Sequence, residues 1–229
     1  MIRKEEWKIY KNVFDSFTLR ELFKLSRHFK ELHGQISVGK EANVFSLKTK
    51  KGFSAIKIWR LDNANFKSMF NYLIQDPRYL GLKRRKREII FAWAQREYRN
   101  LLKAREIIKV PTPIAIRHHI IIMDFIGKQD IPSLKLTRHP PEDPKTFYKQ
   151  VINDMKKLYK AGLIHGDLSP YNILNYDEQP VYIDFSQGTL TNAYNAEELL
   201  ERDVKVINNF FSKYYKTKTD EQLLKFIKD

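Results

Sequence analysis

The run Leu163-Ile164-His165-Gly166-Asp167-Leu168-Ser169-Pro170-Tyr171-Asn172-Ile173-Leu174 is followed closely by Val181-Tyr182-Ile183-Asp184-Phe185-Ser186-Gln187. No other feature constrains the fold as much. Ile173-Leu174 and Val181-Tyr182-Ile183 are short runs of strand-forming residues around Tyr176-Asp177-Glu178, which reads as a hairpin. Asp167 and Asn172 precede the hairpin on one loop, and Asp184 follows its second strand.

The rest of the pattern is strand-rich first and helix-rich second. Thr18-Leu19-Arg20-Glu21 has the form of a capping box, opening a helix whose apolar face carries Leu22, Phe23, Leu25, Ser26 and Phe29. Strands are expected within 36–60, as Asn43–Leu47 and Phe53–Trp59 around a Lys-Thr-Lys-Lys-Gly turn. Residues 62–85 show no clear period and read as a loop or insertion with some helix. A strong helix follows from about Arg87 to Arg105, with Ile90, Trp93, Ala94 and Leu101 on its apolar stripe. Pro111 and Pro113 read as a linker, and Ile120–Phe125 as a short buried strand. Asp143-Pro144 caps a helix that stops at Gly162, another spans about Ala196 to Tyr215, and a last one follows Thr219. These elements predict an α+β, two-lobed chain joined near Asp124 to Gly127. Its parts are an N-terminal helical segment (1–33), a strand-rich N-lobe (34–124) and a helical C-lobe (125–229).

Composition narrows the function classes. With 229 residues and 42% hydrophobic content the chain can bury a core. It has no apolar run long enough for a membrane span and no secretory leader pattern, so a cytoplasmic protein without a membrane partner is expected. The absence of cysteine excludes disulfides and thiolate metal sites. A formal charge of +15 suggests a polyanionic partner. Ten basic and two acidic residues lie between Arg78 and Arg105, with Lys83-Arg84-Arg85-Lys86-Arg87 unbroken. That block reads either as a solvated face or as a contact for RNA or an acidic partner.

Two charged residues sit out of place. Lys57 shares a strand face with Ala55 and Trp59, and Glu97 falls on the apolar stripe of its helix, four residues from both Trp93 and Leu101. A lone lysine there is usually a snorkelling stem. Each charge in a core needs a partner, and each can answer the other. A strand Lys paired with a helix Glu orients ATP phosphates in protein kinases, although an interior salt bridge without a substrate would look the same. The loop His165-Gly166-Asp167 with Asn172 five residues on matches the kinase catalytic loop, with Gly166 in place of Arg; Asp184 takes the place of its metal-binding Asp. Phosphoryl transfer needs a metal clamp, a Lys on phosphate and a placed carboxylate, which these residue types supply. Upstream, Ser37-Val38-Gly39-Lys40-Glu41-Ala42-Asn43-Val44 has one glycine where a phosphate loop normally has several, so Ser37, Lys40 and backbone N–H groups would have to hold phosphates. His165 reads as a packing residue, His118-His119 as a turn, and Trp7, Trp59 and Trp93 as anchors.

These segments together resemble the RIO family of atypical serine/threonine protein kinases, and its type-one branch. The resemblance covers about residues 10 to 215: the SVGKEANVF loop, the DPRY insertion, REYRNLLKA, MDFIG, HGDLSPYNIL, YIDFSQG and ERDVKVINNFF. It implies a two-lobed kinase-like fold with a reduced C-lobe lacking the peptide-substrate subdomains. ATP and Mg²⁺ (or Mn²⁺) would be its cofactors. Lys57 would contact phosphate and pair with Glu97; Met123 would be the gatekeeper, with the backbone of Asp124 and Ile126 on adenine. Asp167 would be catalytic, and Asn172 and Asp184 would hold the metal. The family's phospho-aspartate intermediate would place phosphate on Asp184. Only 45 residues follow Asp184, with no A-P-E segment, and the N-terminal extension is too short for a winged-helix domain. The implied partner is the small ribosomal subunit precursor, with Lys83–Arg87 as the contact. A small-molecule phosphotransferase of the aminoglycoside or choline type shares the HGD loop and stays open as an alternative. So does an assembly factor that binds ATP without catalysis.

Overall fold

The computed structural model describes residues 14–62 and 65–229. Residues 1–13 of the expected N-terminal segment, Trp7 among them, lie outside the described residues. Strands β1 (Glu31–Val38), β2 (Ala42–Thr49), β3 (Gly52–Trp59), β4 (Pro113–Arg117) and β5 (Ile120–Asp124) form an antiparallel sheet in the order β1-β2-β3-β5-β4. Period-two alternation assigns its faces. Ile56, Ile58, Ile120 and Ile122 point to one side, where helix α1 (Ser16–Leu25) covers them with Leu22 and Leu25. Ala55, Trp59, Ile121 and Met123 point to the other, into the core shared with helix α3 (Lys86–Ala104) and the C-lobe. Each fully buried aliphatic side chain contributes about 1.5–3 kcal/mol, so covering both faces fixes the register of β3 and which way Lys57 points.

Past β5 the chain makes the small hairpin β6 (Gly127–Lys128) and β7 (Ile131–Pro132), then the helical lobe. Helix α4 (Pro144–Lys160) starts on Asp143, whose carboxylate accepts from the Lys145 and Thr146 N–H groups. Helices α5 (Ala196–Phe211) and α6 (Asp220–Lys228) pack beside it through Val151, Val204, Ile207, Phe211 and Ile227. Two short ladders carry the functional loops: β8 (Leu163–Ile164) with β11 (Thr189–Leu190), and β9 (Ile173–Tyr176) with β10 (Gln179–Tyr182). The expected hairpin is therefore present.

Several local expectations are corrected. Thr18 is not the cap of α1. Asp15 caps it, accepting from the Phe17 and Thr18 N–H groups, and Thr18 Oγ1 lies 2.9 Å from the buried His119 Nε2. Glu21 is not a capping partner either; it is buried in ion pairs with Lys24 and Arg117. Phe23 is exposed, because it lies off the helix face that buries Thr18, Glu21, Leu22 and Leu25. β1 begins at Glu31, inside the span expected to be helical. The reading of 62–85 as an insertion with some helix holds: it contains α2 (Phe66–Ile74) and a short 3-10 turn at Pro77–Tyr79. Pro113 opens β4 rather than ending a linker, which is allowed because β4 is an edge strand. α5 stops at Phe211, short of Tyr215.

Candidate active site

β3 and α3 bring the two displaced charges together. Lys57 Nζ lies 2.9 Å from Glu97 Oε1 and 2.9 Å from Asp184 Oδ1. It also sits 4.6 Å from the centre of the Trp59 ring. Burial alone would push the Lys57 ammonium down, but Asp184 and Glu97 outweigh it and hold the group above its usual range. Burial likewise pushes both carboxylates up. Asp184 nevertheless falls to about 2, because Lys57 and the Ser186 hydroxyl favour its anion. Glu97, deeper and competing with Asp184 for the same ammonium, stays raised. The arrangement is a charged lysine held between a structural carboxylate and one at the cleft.

Asp184 occupies the left-handed region, with φ 65° and ψ 64°. This conformation costs a non-glycine residue about 1–3 kcal/mol and persists only where the surroundings hold it. It turns the chain from β10 into the 3-10 turn Phe185–Gln187. Both Lys57 and Ser186 donate to Asp184 Oδ1, which leaves Oδ2 for a ligand.

The catalytic-loop residues form the opposite wall. Asn172 Nδ2 donates to the Asp167 carbonyl at 2.8 Å and to Asp167 Oδ2 at 3.2 Å. Its donors are thus spent within the loop, and its amide oxygen is the group that can meet a cation. Burial and the nearby Asp184 raise the Asp167 carboxyl, which suits a proton acceptor better than an ordinary Asp. His165 is buried, its Nε2 3.1 Å from the Ile183 carbonyl and its ring against Phe185; burial depresses it to about 4, so it is neutral. The packing role expected for it holds.

Gly166 explains the missing loop arginine. Its φ is 75°, and a Cβ there would lie 2.7 Å from the Gln187 carbonyl oxygen. Arg202 of α5 supplies a cation instead, bonding the Gly166 carbonyl and standing 3.9 Å from Asp167 Oδ1. Asp203, buried beside it, accepts from the Gly166 and Leu168 N–H groups at 2.8 Å each. The sequence reading missed Arg202 and Asp203. Asp203 carried the signal that exposed Glu97, a charge on an apolar helical stripe between Leu200 and Ile207.

The remaining predicted residues are spread along the cleft and beyond it. Met123 is buried on β5. The Asp124 N–H is taken by the Thr112 carbonyl and the Ile126 carbonyl by the Ser133 N–H, so an adenine edge here would use the Asp124 carbonyl and the Ile126 N–H. Ser37 lies near the end of β1, and Lys40 is exposed in the turn that Gly39 closes onto the Ala42 carbonyl. The block Lys83–Arg87 is exposed at the start of α3, away from the Lys57 cluster; Arg84, Lys86 and Arg87 lie over the rings of Phe70, Phe66 and Phe17.

The donor set fits Mg²⁺. One free carboxylate oxygen and one amide oxygen suit a hard cation that takes its other ligands from phosphate and water. Among the described residues no cluster of three or more His, Cys, Asp or Glu would form a self-sufficient metal cage.

Comparisons with known proteins bear on the family and the fold. The family described as the RIO domain matches residues 43–224. The chain is 43% identical over 210 residues to the RIO-type serine/threonine-protein kinase Rio1 of Methanocaldococcus jannaschii, covering 90% of this chain and 72% of that protein. It is 35% identical to the protein of the same description from Haloferax volcanii, covering 97% and 78%. The human serine/threonine-protein kinase RIO1 is also 35% identical, over 95% of this chain and 40% of that one. In fold, the chain is similar to the Rio2 kinase from Chaetomium thermophilum solved as an ADP/Mg²⁺-phosphoaspartate complex, with a TM-score of 0.66 and 24% identity over 94% of this chain and 68% of that one.

Proposed function

The chain belongs to the RIO family of atypical serine/threonine kinases, with Rio1-type kinases among its relatives, and on that premise we propose that it binds ATP with Mg²⁺ and transfers the γ-phosphoryl group. The observation that carries this reading is the convergence of Lys57, Glu97 and Asp184 opposite Asp167 and Asn172. Lys57, fixed by Glu97, places a positive charge where phosphate oxygens enter. Asp184 and Asn172 would hold Mg²⁺, which neutralises charge on the phosphates when bound. Asp167 orients an attacking hydroxyl or water and accepts its proton, while Arg202 and Asp203 hold the loop that carries it. Phosphoryl transfer asks for little beyond such positioning and charge compensation.

The cellular role extends the proposal: a kinase or ATPase acting in the cytoplasm on the small ribosomal subunit precursor, with Lys83–Arg87 on rRNA. Local physics supports a partner at the block. Lys86 and Arg87 occupy the first turn of α3 with one acidic residue, Glu88, which pairs with Arg85, and the N-cap Arg85 makes no side-chain cap bond. Cations at a helix N-terminus are unfavourable by about 0.3–1 kcal/mol each, and an incoming phosphate would reverse that sign. The test is MgATP turnover with and without small ribosomal subunits, for the wild type and for the block neutralised to glutamine. Subunit-stimulated turnover that the neutralised variant loses supports the role. Transfer to a small alcohol without any subunit effect would favour a small-molecule phosphotransferase.

A further inference from the structure

The loop after Asp184 is held by a buried polar network outside the residues assigned above. Asp76 is fully buried just before the 3-10 turn Pro77–Tyr79. Arg78 binds it in fork geometry, with Nε 2.9 Å from Oδ1 and Nη2 2.6 Å from Oδ2. The third arm of Arg78, Nη1, donates to Asn100 Oδ1 at 3.0 Å. Asn100, buried on α3, then spends its Nδ2 on two carbonyls of the loop, Phe185 at 2.9 Å and Gly188 at 2.7 Å. Arg96, one helical turn earlier and fully buried, donates from Nε to the Gly188 carbonyl at 3.0 Å and from Nη2 to the Gln187 carbonyl at 3.3 Å, and lies 3.6 Å from Asp76.

Three features distinguish this network from an ordinary interior salt bridge. The Asn100 amide and the Nε and Nη2 of Arg96 donate to carbonyls of the four residues that follow Asp184, while the buried Nη1 of Arg96 has no hydrogen-bond partner among the described residues. The orientation of the Asn100 amide is fixed from both ends, since a flipped amide would face two carbonyls with oxygen and a guanidinium with NH₂. Finally, Gly188 has an ordinary φ, so it does not need to be glycine for backbone reasons; a Cβ there would lie 2.8 Å from Asn100 Nδ2. The close approach of Asn100 requires it. Asp184 itself sits in a left-handed conformation that needs external support, and the network supplies that support one residue away.

We propose that Asp76, Arg78, Arg96 and Asn100 are positioning residues that hold loop 185–188 against α3 and thereby set Asp184 for metal, with Arg78 linking that loop to the basic insertion. The proposal rests on the reading of Asp184 as the metal-holding carboxylate. Arg78 is the partly exposed member of the network.

The experiment is calorimetric titration of ADP with and without Mg²⁺ on the whole chain. Wild type is compared with Asn100→Asp, Gly188→Ala and Arg78→Gln. Asn100→Asp keeps the acceptor for Arg78 but loses both donors to the loop. The readout is the ratio of affinities with and without metal, which general destabilisation does not move. Asn100→Asp and Gly188→Ala are expected to cut that ratio by about tenfold, equivalent to about 1.4 kcal/mol, with metal-free affinity unchanged, and Arg78→Gln to cut it less. Should Asn100→Asp fail to fold, the other two variants carry the test. Folded variants that keep the full wild-type ratio overturn the positioning role. A wild type whose ADP affinity ignores Mg²⁺ overturns the metal reading of Asp184, and the proposal with it.

Discussion

Replacing Asp203 by Asn tests how the catalytic loop is held. The carboxylate accepts from two buried N–H groups, those of Gly166 and Leu168, at 2.8 Å each. An Asn side chain of nearly equal volume can satisfy one of them and must point its NH₂ at the other. One orphaned buried donor costs about 1–3 kcal/mol. At acid pH, where the Asp203 carboxyl carries no ionisation penalty, urea unfolding should therefore show a lower midpoint with an unchanged slope, and the Gly166 or Leu168 amide should lose protection in hydrogen exchange. The pH dependence adds a sign. Burial pushes the Asp203 carboxyl from 3.8 up to about 7, against the pull of the two N–H donors. A folded-state value above the unfolded one means that the fold favours the protonated acid. Its contribution is present below the unfolded value and is lost as pH rises through the window between them. Relative to Asp203→Asn, wild-type stability should then fall by up to about 1.4 kcal/mol per pH unit across that window. A stability difference that grows with pH, or amide protection equal in both proteins, would refute the reasoning.

Further expectations concern the cleft and the insertion. Lys57→Met leaves Asp184 and Glu97 without their counter-ion; breaking such a pair costs about 3–5 kcal/mol, so the melting temperature should drop and ATP binding should weaken in titration. Gly166→Ala puts a Cβ 2.7 Å from the Gln187 oxygen at a left-handed position; the strain is about 1–3 kcal/mol, and turnover should fall more than nucleotide affinity, as separate kcat and KM measurements would show. On the proposed rRNA contact, neutralising Lys83–Arg87 should flatten the salt dependence of RNA binding, by a slope of about 0.7–0.9 for each RNA phosphate that the block neutralises. An unchanged slope would remove the block from the interface.

What the sequence made legible follows from periodicity. Lys57 and Glu97 could be paired on paper because strand alternation and helical spacing each force one side chain inward, where an unpaired charge is costly. The order of Asp167, Asn172, hairpin and Asp184 was equally readable, because a short hairpin leaves its flanking loops little freedom. Long-range partners were not readable. The pattern Thr18-x-x-Glu21 suits a capping box, yet Thr18 pairs with His119 and Glu21 with Arg117, both far along the chain, while Asp15 captures the helix end. α2 was obscure because only Met69 and Leu73 are buried along it. Arg96 and Asn100 lie on the same helix as Glu97 and are as deeply buried, but their donors reach backbone carbonyls of a distant loop, which no side-chain pattern reveals.

The most direct measurement of the central claim is transfer of the labelled γ-phosphoryl group from ATP, with and without Mg²⁺, by wild type, Asp184→Asn and Asp167→Ala. The account predicts Mg²⁺-dependent hydrolysis or autophosphorylation in the wild type. It predicts loss in both variants, with nucleotide still bound by Asp167→Ala. Turnover at the wild-type rate in Asp184→Asn, or turnover indifferent to Mg²⁺, would contradict it.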